Sequence, residues 1–258
     1  MDLGLQGKVA IVTGASRGLG RAIALRLAQE GCHLAICARG AEALGKAQFE
    51  FETCGVKVLA LPLDLCAPGA PEQLIERACA QFGRMDLLVN NAGGNRRGHF
   101  TEVTDEDWET VLELNLKVHL RASRAAIAHM RTAGGGAILF ITSIFGREAG
   151  GPGLSVYNAT KSALISAAKI IALEVAPYGI RVNSMAPGSI RFPGGSWDRR
   201  VRSDPEGMKA FVAQNLPIGR FGTAEEIADV AAFLLSERAS LVTGACLNVD
   251  GGQSRSLI

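Results

Sequence analysis

Four apolar residues, Val9-Ala10-Ile11-Val12, run straight into Thr13-Gly14-Ala15-Ser16-Arg17-Gly18-Leu19-Gly20. A short run without a polar residue reads as a strand buried on both faces. Residues 18–30 then carry Leu19, Ile23, Leu27 and Ala28 at helical spacing, with Arg21, Arg26 and Glu30 between them, and Gly31 closes the helix. A buried strand, a glycine turn and an amphipathic helix open a strand–helix–strand unit. Such units stack into parallel sheets with helices on both faces.

The same alternation continues to the end of the chain. Strands are predicted at 34–38, 56–61, 87–89, 137–141, 180–185 and 245–249, and helices at 41–54, 71–82, 105–131, 155–176 and 224–235. Residues 188–215, rich in Arg, Gly and Pro, read as irregular. No linker, repeat or composition break divides the chain. The prediction is a single Rossmann-type doubly wound α/β domain over 1–258, with a parallel sheet of about seven strands. The 48% hydrophobic content excludes disorder as a description of the whole chain, and a net charge of +2 excludes a strongly basic nucleic-acid binder.

The six cysteines, Cys32, Cys37, Cys54, Cys66, Cys79 and Cys246, form no C-x-x-C pair and no zinc spacing. They read as reduced thiols acting as small hydrophobes, which predicts a cytoplasmic setting. The first residues lack the pattern of a secretion signal, and no apolar run approaches the ~20 residues of a membrane span.

The glycine turn has a chemical reading. Gly14 permits a tight turn, Gly18 lets backbone approach a pyrophosphate, and Gly20 allows close helix–strand packing. The helix N-terminus adds free N–H groups and the positive end of a dipole. Strand two ends Cys37-Ala38-Arg39-Gly40, with no acidic residue to hold the adenine-ribose 2′-hydroxyl of NAD. Arg39 and Arg17 instead suit a 2′-phosphate, which points to NADP(H) rather than NAD(H). Glu42 reads as a charge at the start of the next helix.

The Thr-Gly-x3-Gly-x-Gly spacing, Asn90-Asn91-Ala92-Gly93 after strand four, and Tyr157-Asn158-Ala159-Thr160-Lys161 follow in order. With Asn115, Ser143 and Pro187-Gly188 at their places, the chain from about 7 to 252 resembles the short-chain dehydrogenase/reductase family. The resemblance implies a dinucleotide site built from Gly14, Ser16, Arg17, Gly18, Leu19, Gly20, Arg39, Asp64, Leu65, Asn91, Ala92, Gly93, Tyr157, Lys161, Pro187 and Gly188. A helix-capping role for Asp64 stays open beside its implied adenine contact. The implied catalytic set is Asn115, Ser143, Tyr157 and Lys161, with Asn115 holding a water and Lys161 bonding the nicotinamide ribose.

Tyr157 and Lys161 are four apart on a predicted helix, so they share a face. An ammonium beside a phenol is expected to lower the phenol pKa from ~10, so that Tyr157 exchanges a proton with a substrate oxygen. Ser143, at the carboxyl end of a strand, would orient the carbonyl. The reaction implied is hydride transfer between the nicotinamide and a carbonyl or secondary alcohol.

Asn95, Phe192 and Trp197 are the candidate substrate contacts, with segment 188–215 as the cover. His99 reads as a loop residue. The arginines of that segment fit either an anionic substrate or a solvated loop.

The pattern is most similar to the 3-oxoacyl-[acyl-carrier-protein] reductase branch. Leu173 before Glu174 replaces the arginine that helps those enzymes dock their carrier, and Gly194-Gly195-Ser196-Trp197 is atypical of them. Arg131 is a substitute docking charge. An acyl-carrier protein partner is therefore in doubt beside a small-molecule carbonyl substrate. A sugar or polyol dehydrogenase is the alternative enzyme, and a catalytically silent NADPH-binding sensor is the alternative of another class. The resemblance also implies a homotetramer, or a homodimer; Ala159, Ala163 and Ala167 at four-residue spacing suit either close helix approach at that contact or packing inside one subunit.

Overall fold

In the computed structural model, which describes residues 2–257, seven segments extend into strands. They are β1 (Val9–Thr13), β2 (His33–Ala38), β3 (Val58–Pro62), β4 (Leu87–Asn90), β5 (Gly136–Ile141), β6 (Ile180–Pro187) and β7 (Cys246–Val249). All pair in parallel, in the order β3-β2-β1-β4-β5-β6-β7. The chain thus builds outward from β1 in one direction, then returns to β4 and builds outward in the other. A crevice opens between the carboxyl ends of β1 and β4, where open α/β sheets place ligands.

The alternation of side chains across the sheet creates two cores. Ala10 and Val12 of β1, with Leu139 of β5, face α1 (Gly18–Gln29), α2 (Ala41–Glu52) and a C-terminal helix at Ala224–Leu235. Ile11, Leu88 and Phe140 face α3 (Ala70–Phe82) and the two long helices that precede and follow β5. With both faces covered, the central strands can be wholly apolar, which is why they carry no polar alternation.

Two predicted regions differ in detail. The continuous helix expected at 105–131 is α4 (Asp105–Leu112) and α5 (Val118–Ala133), joined by a π-helical stretch at Glu113–Lys117. The segment 188–215, predicted irregular, contains α7 (Ser196–Ser203) and α8 (Pro205–Asn215), after α6 (Ser155–Val175) and before the C-terminal helix, α9. α7 forms because buried Asp198 binds Arg191 and Arg202 and accepts from Gly194 N–H. α8 starts where the Asp204 carboxylate accepts from Gly207 N–H and Pro205 takes a position needing no donor.

Candidate active site

The turn after β1 is left-handed at Gly14 (φ 67°) and Gly18 (φ 58°), a conformation that favours glycine. Gly20 is required for a different reason. A Cβ there would fall within 3.0 Å of Asn91 Nδ2 and the Gly14 carbonyl oxygen. The turn is welded to the end of β4. Asn91 Nδ2 donates to Thr13 O (2.8 Å), and Thr13 Oγ1 accepts from the N–H groups of Asn91 (2.8 Å) and Ala92 (3.0 Å). Helix α1 opens with no side-chain cap, so its first N–H groups are available to an anion. Thr13, which the glycine pattern left without a role, joins the two motifs.

Arg17 is exposed at the start of α1 and Arg39 is exposed beyond β2. The carboxylates in the neighbouring helix are engaged elsewhere: Glu42 pairs with Lys46 and Glu50 with Arg21. Among the described residues neither Arg17 nor Arg39 is held in an ion pair. Asp64 accepts from Cys66 N–H in a local turn, while the N-cap of α3 is Gly69, so the helix-capping role left open for Asp64 does not apply. Leu65 is buried against the same core as α3. The glycine cradle, the uncapped helix and the two free arginines fit a phosphorylated dinucleotide.

On the opposite side of the crevice, α6 carries Tyr157 and Lys161 one turn apart. Lys161 Nζ lies 5.8 Å from the centre of the Tyr157 ring and donates to Ile141 O (2.9 Å). Burial lowers the Lys161 pKa to about 8. Burial also raises that of Tyr157, against a hydrogen bond from Ser143 that favours the phenolate. The expected lowering of the phenol pKa is thus reversed, because loss of hydration outweighs the favourable contact. At neutral pH Tyr157 holds its proton and Lys161 its charge.

Ser143 follows β5 and caps the short turn Ile144–Gly146, its Oγ accepting from Phe145 N–H at 3.2 Å. Asn115 lies in the π-helical stretch, a local widening often found at functional sites. Its amide brackets Gly94, accepting from its N–H and donating to its carbonyl, both at 2.9 Å, and also donates to Thr160 Oγ1 (3.2 Å). The structure thus gathers Asn115, Ser143, Tyr157 and Lys161 around the Asn-Asn-Ala-Gly turn.

His119 also belongs to this group, and no motif marks it. Fully buried, its Nε2 lies 2.7 Å from Ala92 O. A carbonyl only accepts, so Nε2 carries the hydrogen. Burial, with the Lys161 charge adding to it, pushes its pKa down to about 3.

Pro187 ends β6, and Gly188 follows where a Cβ would strike Asp250. The three candidate substrate residues have different surroundings. Asn95 is exposed in the loop after Gly94. Phe192 covers Gly18, its ring 2.8 Å from where a Cβ of residue 18 would stand, so it sits over the phosphate turn. Trp197 packs with Phe211 and Phe221, ring centres 4.8 and 5.3 Å away, and binds α7 to α8. The arginines there hold the segment 191–202 together: Arg191 and Arg202 bind Asp198, Arg199 donates to Gly194 O, and Arg200 lies over Trp197.

Comparison with known proteins shows what the whole chain is similar to. A family model described as Enoyl-(Acyl carrier protein) reductase matches residues 14–254. The 3-oxoacyl-[acyl-carrier-protein] reductase FabG of Escherichia coli (strain K12) is 38% identical over 256 residues, spanning 97% of this chain and 98% of that protein. The crystal structure of L-sorbose reductase from Gluconobacter frateurii, complexed with NADPH and L-sorbose, is 36% identical with a TM-score of 0.94 over 100% of both chains. A 7α-hydroxysteroid dehydrogenase complexed with NADH and 7-oxo glycochenodeoxycholic acid is 31% identical with a TM-score of 0.91, covering 100% of this chain and 98% of that one.

Proposed function

The chain belongs to the short-chain dehydrogenase/reductase family, and from that premise we propose that it is an NADP(H)-dependent oxidoreductase that reduces a small carbonyl compound through Tyr157. The observation that carries this reading is the grouping of Ser143, Tyr157 and Lys161, with Lys161 Nζ 5.8 Å from the Tyr157 ring centre and donating to Ile141 O; burial raises the Tyr157 pKa and so favours the protonated phenol. A protonated phenol is the form that can deliver a proton to a carbonyl oxygen.

When bound, the dinucleotide supplies the hydride. The protein supplies position and charge. The Ser143 hydroxyl orients the carbonyl oxygen, and Tyr157 protonates it. Lys161 stabilises the phenolate left behind and reaches the ribose. Asn115 fixes the turn at Gly94 and holds a water on the proton route. Gly14, Ser16, Arg17, Gly18, Leu19 and Gly20 cradle the phosphates, and Arg17 and Arg39 select the 2′-phosphate. Asp64 and Leu65 meet the adenine, while Asn91, Ala92, Gly93, Pro187 and Gly188 line the ribose and nicotinamide side. Segment 188–215 covers the cleft, with Phe192 over the dinucleotide, and Asn95 and Trp197 border the substrate entrance.

A 3-oxoacyl thioester is the first substrate class, supported by the similarity to the Escherichia coli reductase. A ketose is the second, supported by the similarity to L-sorbose reductase. Leu173, 63% exposed, offers no charge to an acidic carrier protein, which favours a free substrate over a carrier-bound one. The setting is the reducing cytoplasm, in keeping with six free cysteines.

The test is oxidation of NADPH and of NADH with acetoacetyl thioester, a small diketone and L-sorbose. NADPH is expected to be preferred, and Arg39→Ala to weaken NADPH about tenfold or more while leaving NADH nearly unchanged. Tight cofactor binding with no turnover of any carbonyl would point instead to a cofactor sensor.

A further inference from the structure

The end of the chain folds back onto the loop that carries Ser143. One carboxylate oxygen of Glu148, Oε2, accepts three hydrogen bonds from it: Ser254 Oγ at 3.0 Å, Arg255 N–H at 2.8 Å and Ser256 N–H at 3.1 Å. Three donors converging on one anionic oxygen form a strong, specific fastening. The tail is pre-shaped for it. Asp250 accepts from the N–H groups of Gly252 (3.0 Å) and Ser254 (2.7 Å), and Ser254 Oγ also accepts from Ser256 N–H (3.2 Å).

The loop on the other side of Glu148 leads directly to the catalytic residues. Ser143 caps the turn Ile144–Gly146, and Ser162 Oγ donates to Gly146 O at 2.9 Å. A Cβ on Gly146 would come within 2.8 Å of Lys161 O, so the turn lies directly on α6 at its catalytic lysine. Glu148 O accepts from Asn158 Nδ2 at 3.0 Å, next to Tyr157. Arg147 ties the loop to β7 through Cys246 O (2.8 Å) and Asn248 Oδ1 (3.0 Å). The tail makes a second, separate attachment: Gln253 Oε1 accepts from Ser189 N–H at 2.7 Å, just past Pro187-Gly188.

We propose that Glu148 is a positioning residue for carbonyl reduction: it buckles residues 254–256 onto the Ser143 loop and so holds the Ser143 hydroxyl at the height of the Tyr157 phenol. The Gln253 attachment holds the cofactor-side loop independently. The kinetic part of this inference rests on the proposed carbonyl-reductase reading; the structural part does not.

The test uses the full-length enzyme with NADPH bound. Glu148→Ala, and truncation after Gln253, should each speed amide hydrogen exchange across 144–150. Each should also lower kcat/KM for the best carbonyl of the panel about tenfold, the loss expected for a charged hydrogen-bond acceptor. The dissociation constant for NADPH should stay within about twofold, since the cradle and the Gln253 attachment are untouched. Glu148→Gln keeps an acceptor oxygen and should restore both readouts, and combining Glu148→Ala with the truncation should add nothing further. Unchanged exchange at 144–150 in Glu148→Ala would overturn the proposal, as would loss of NADPH affinity in step with a fall in Tm. If the wild type turns over no carbonyl, the proposed function fails alone, and exchange with NADPH affinity still decides whether the buckle exists.

Discussion

Lys161 and His119 lie under the same Asn-Asn-Ala-Gly turn, and burial pushes both toward their neutral forms, to about 8 and about 3. The two shifts have different consequences. Lys161 remains charged at neutral pH and serves the site, whereas His119 is neutral and acts as a strut for Ala92. For His119 the unfolded chain binds a proton below 6.5 and the folded protein only below about 3. Within that window the unfolded state holds more protons, so stability falls as pH drops from 6.5 toward 3. His119→Gln keeps a donor for Ala92 O without the titration. Its urea midpoint should therefore fall less than that of the wild type between pH 7 and pH 4. Identical pH dependence in the two proteins would remove His119 from this role. Tyr157 and Lys161 could be read together from their helical spacing, whereas Ser143 and Asn115 entered through the family resemblance. His119 was not legible, since a buried histidine has the same appearance in a sequence whether it supports a site or merely fills a core.

The elements were read most surely where one physical requirement dominates. A strand covered on both faces must be apolar, so β1, β4 and β5 were plain in the sequence, and the turn after β1 was plain from its glycines. Gly20 gives that reading a direct check. Its missing Cβ is what allows Asn91 to reach Thr13 and Gly14. Gly20→Ala should destabilise the fold by about 1–3 kcal/mol, as overpacked cores do, and should weaken NADPH binding more than it lowers Tm. A variant with native stability and native NADPH affinity would contradict the weld between the two motifs. The helices α7 and α8 were missed because arginine, glycine and proline dominated the composition of 188–215. The signals were present but local: Asp204-Pro205 is a cap followed by a proline at the first helical position, and Asp198 sits four residues before Arg202. The π-helical break between α4 and α5 left no mark, because its residues are ordinary helix formers and only packing decides the widening.

For the whole molecule, the outer side of α6 is one surface that the single chain leaves apolar and uncovered. Ile170 is 53% exposed and Leu173 63% exposed on a helix whose other side carries Tyr157 and Lys161. Of the three alanines expected at a subunit contact, Ala159 is exposed while Ala163 and Ala167 are half-buried. We propose that this face packs against the same face of a second copy in a homotetramer. Sedimentation of the wild type should give the tetramer, and Ile170→Asp with Leu173→Asp should give smaller species. A monomeric wild type would refute the contact. The central claim concerns one proton, and its most direct test is Tyr157→Phe in the full-length protein. Turnover with NADPH and the best carbonyl should fall by at least about 100-fold, while the dissociation constant for NADPH, read from its fluorescence, stays within about threefold because the phosphate cradle is untouched. Turnover close to that of the wild type would contradict the account.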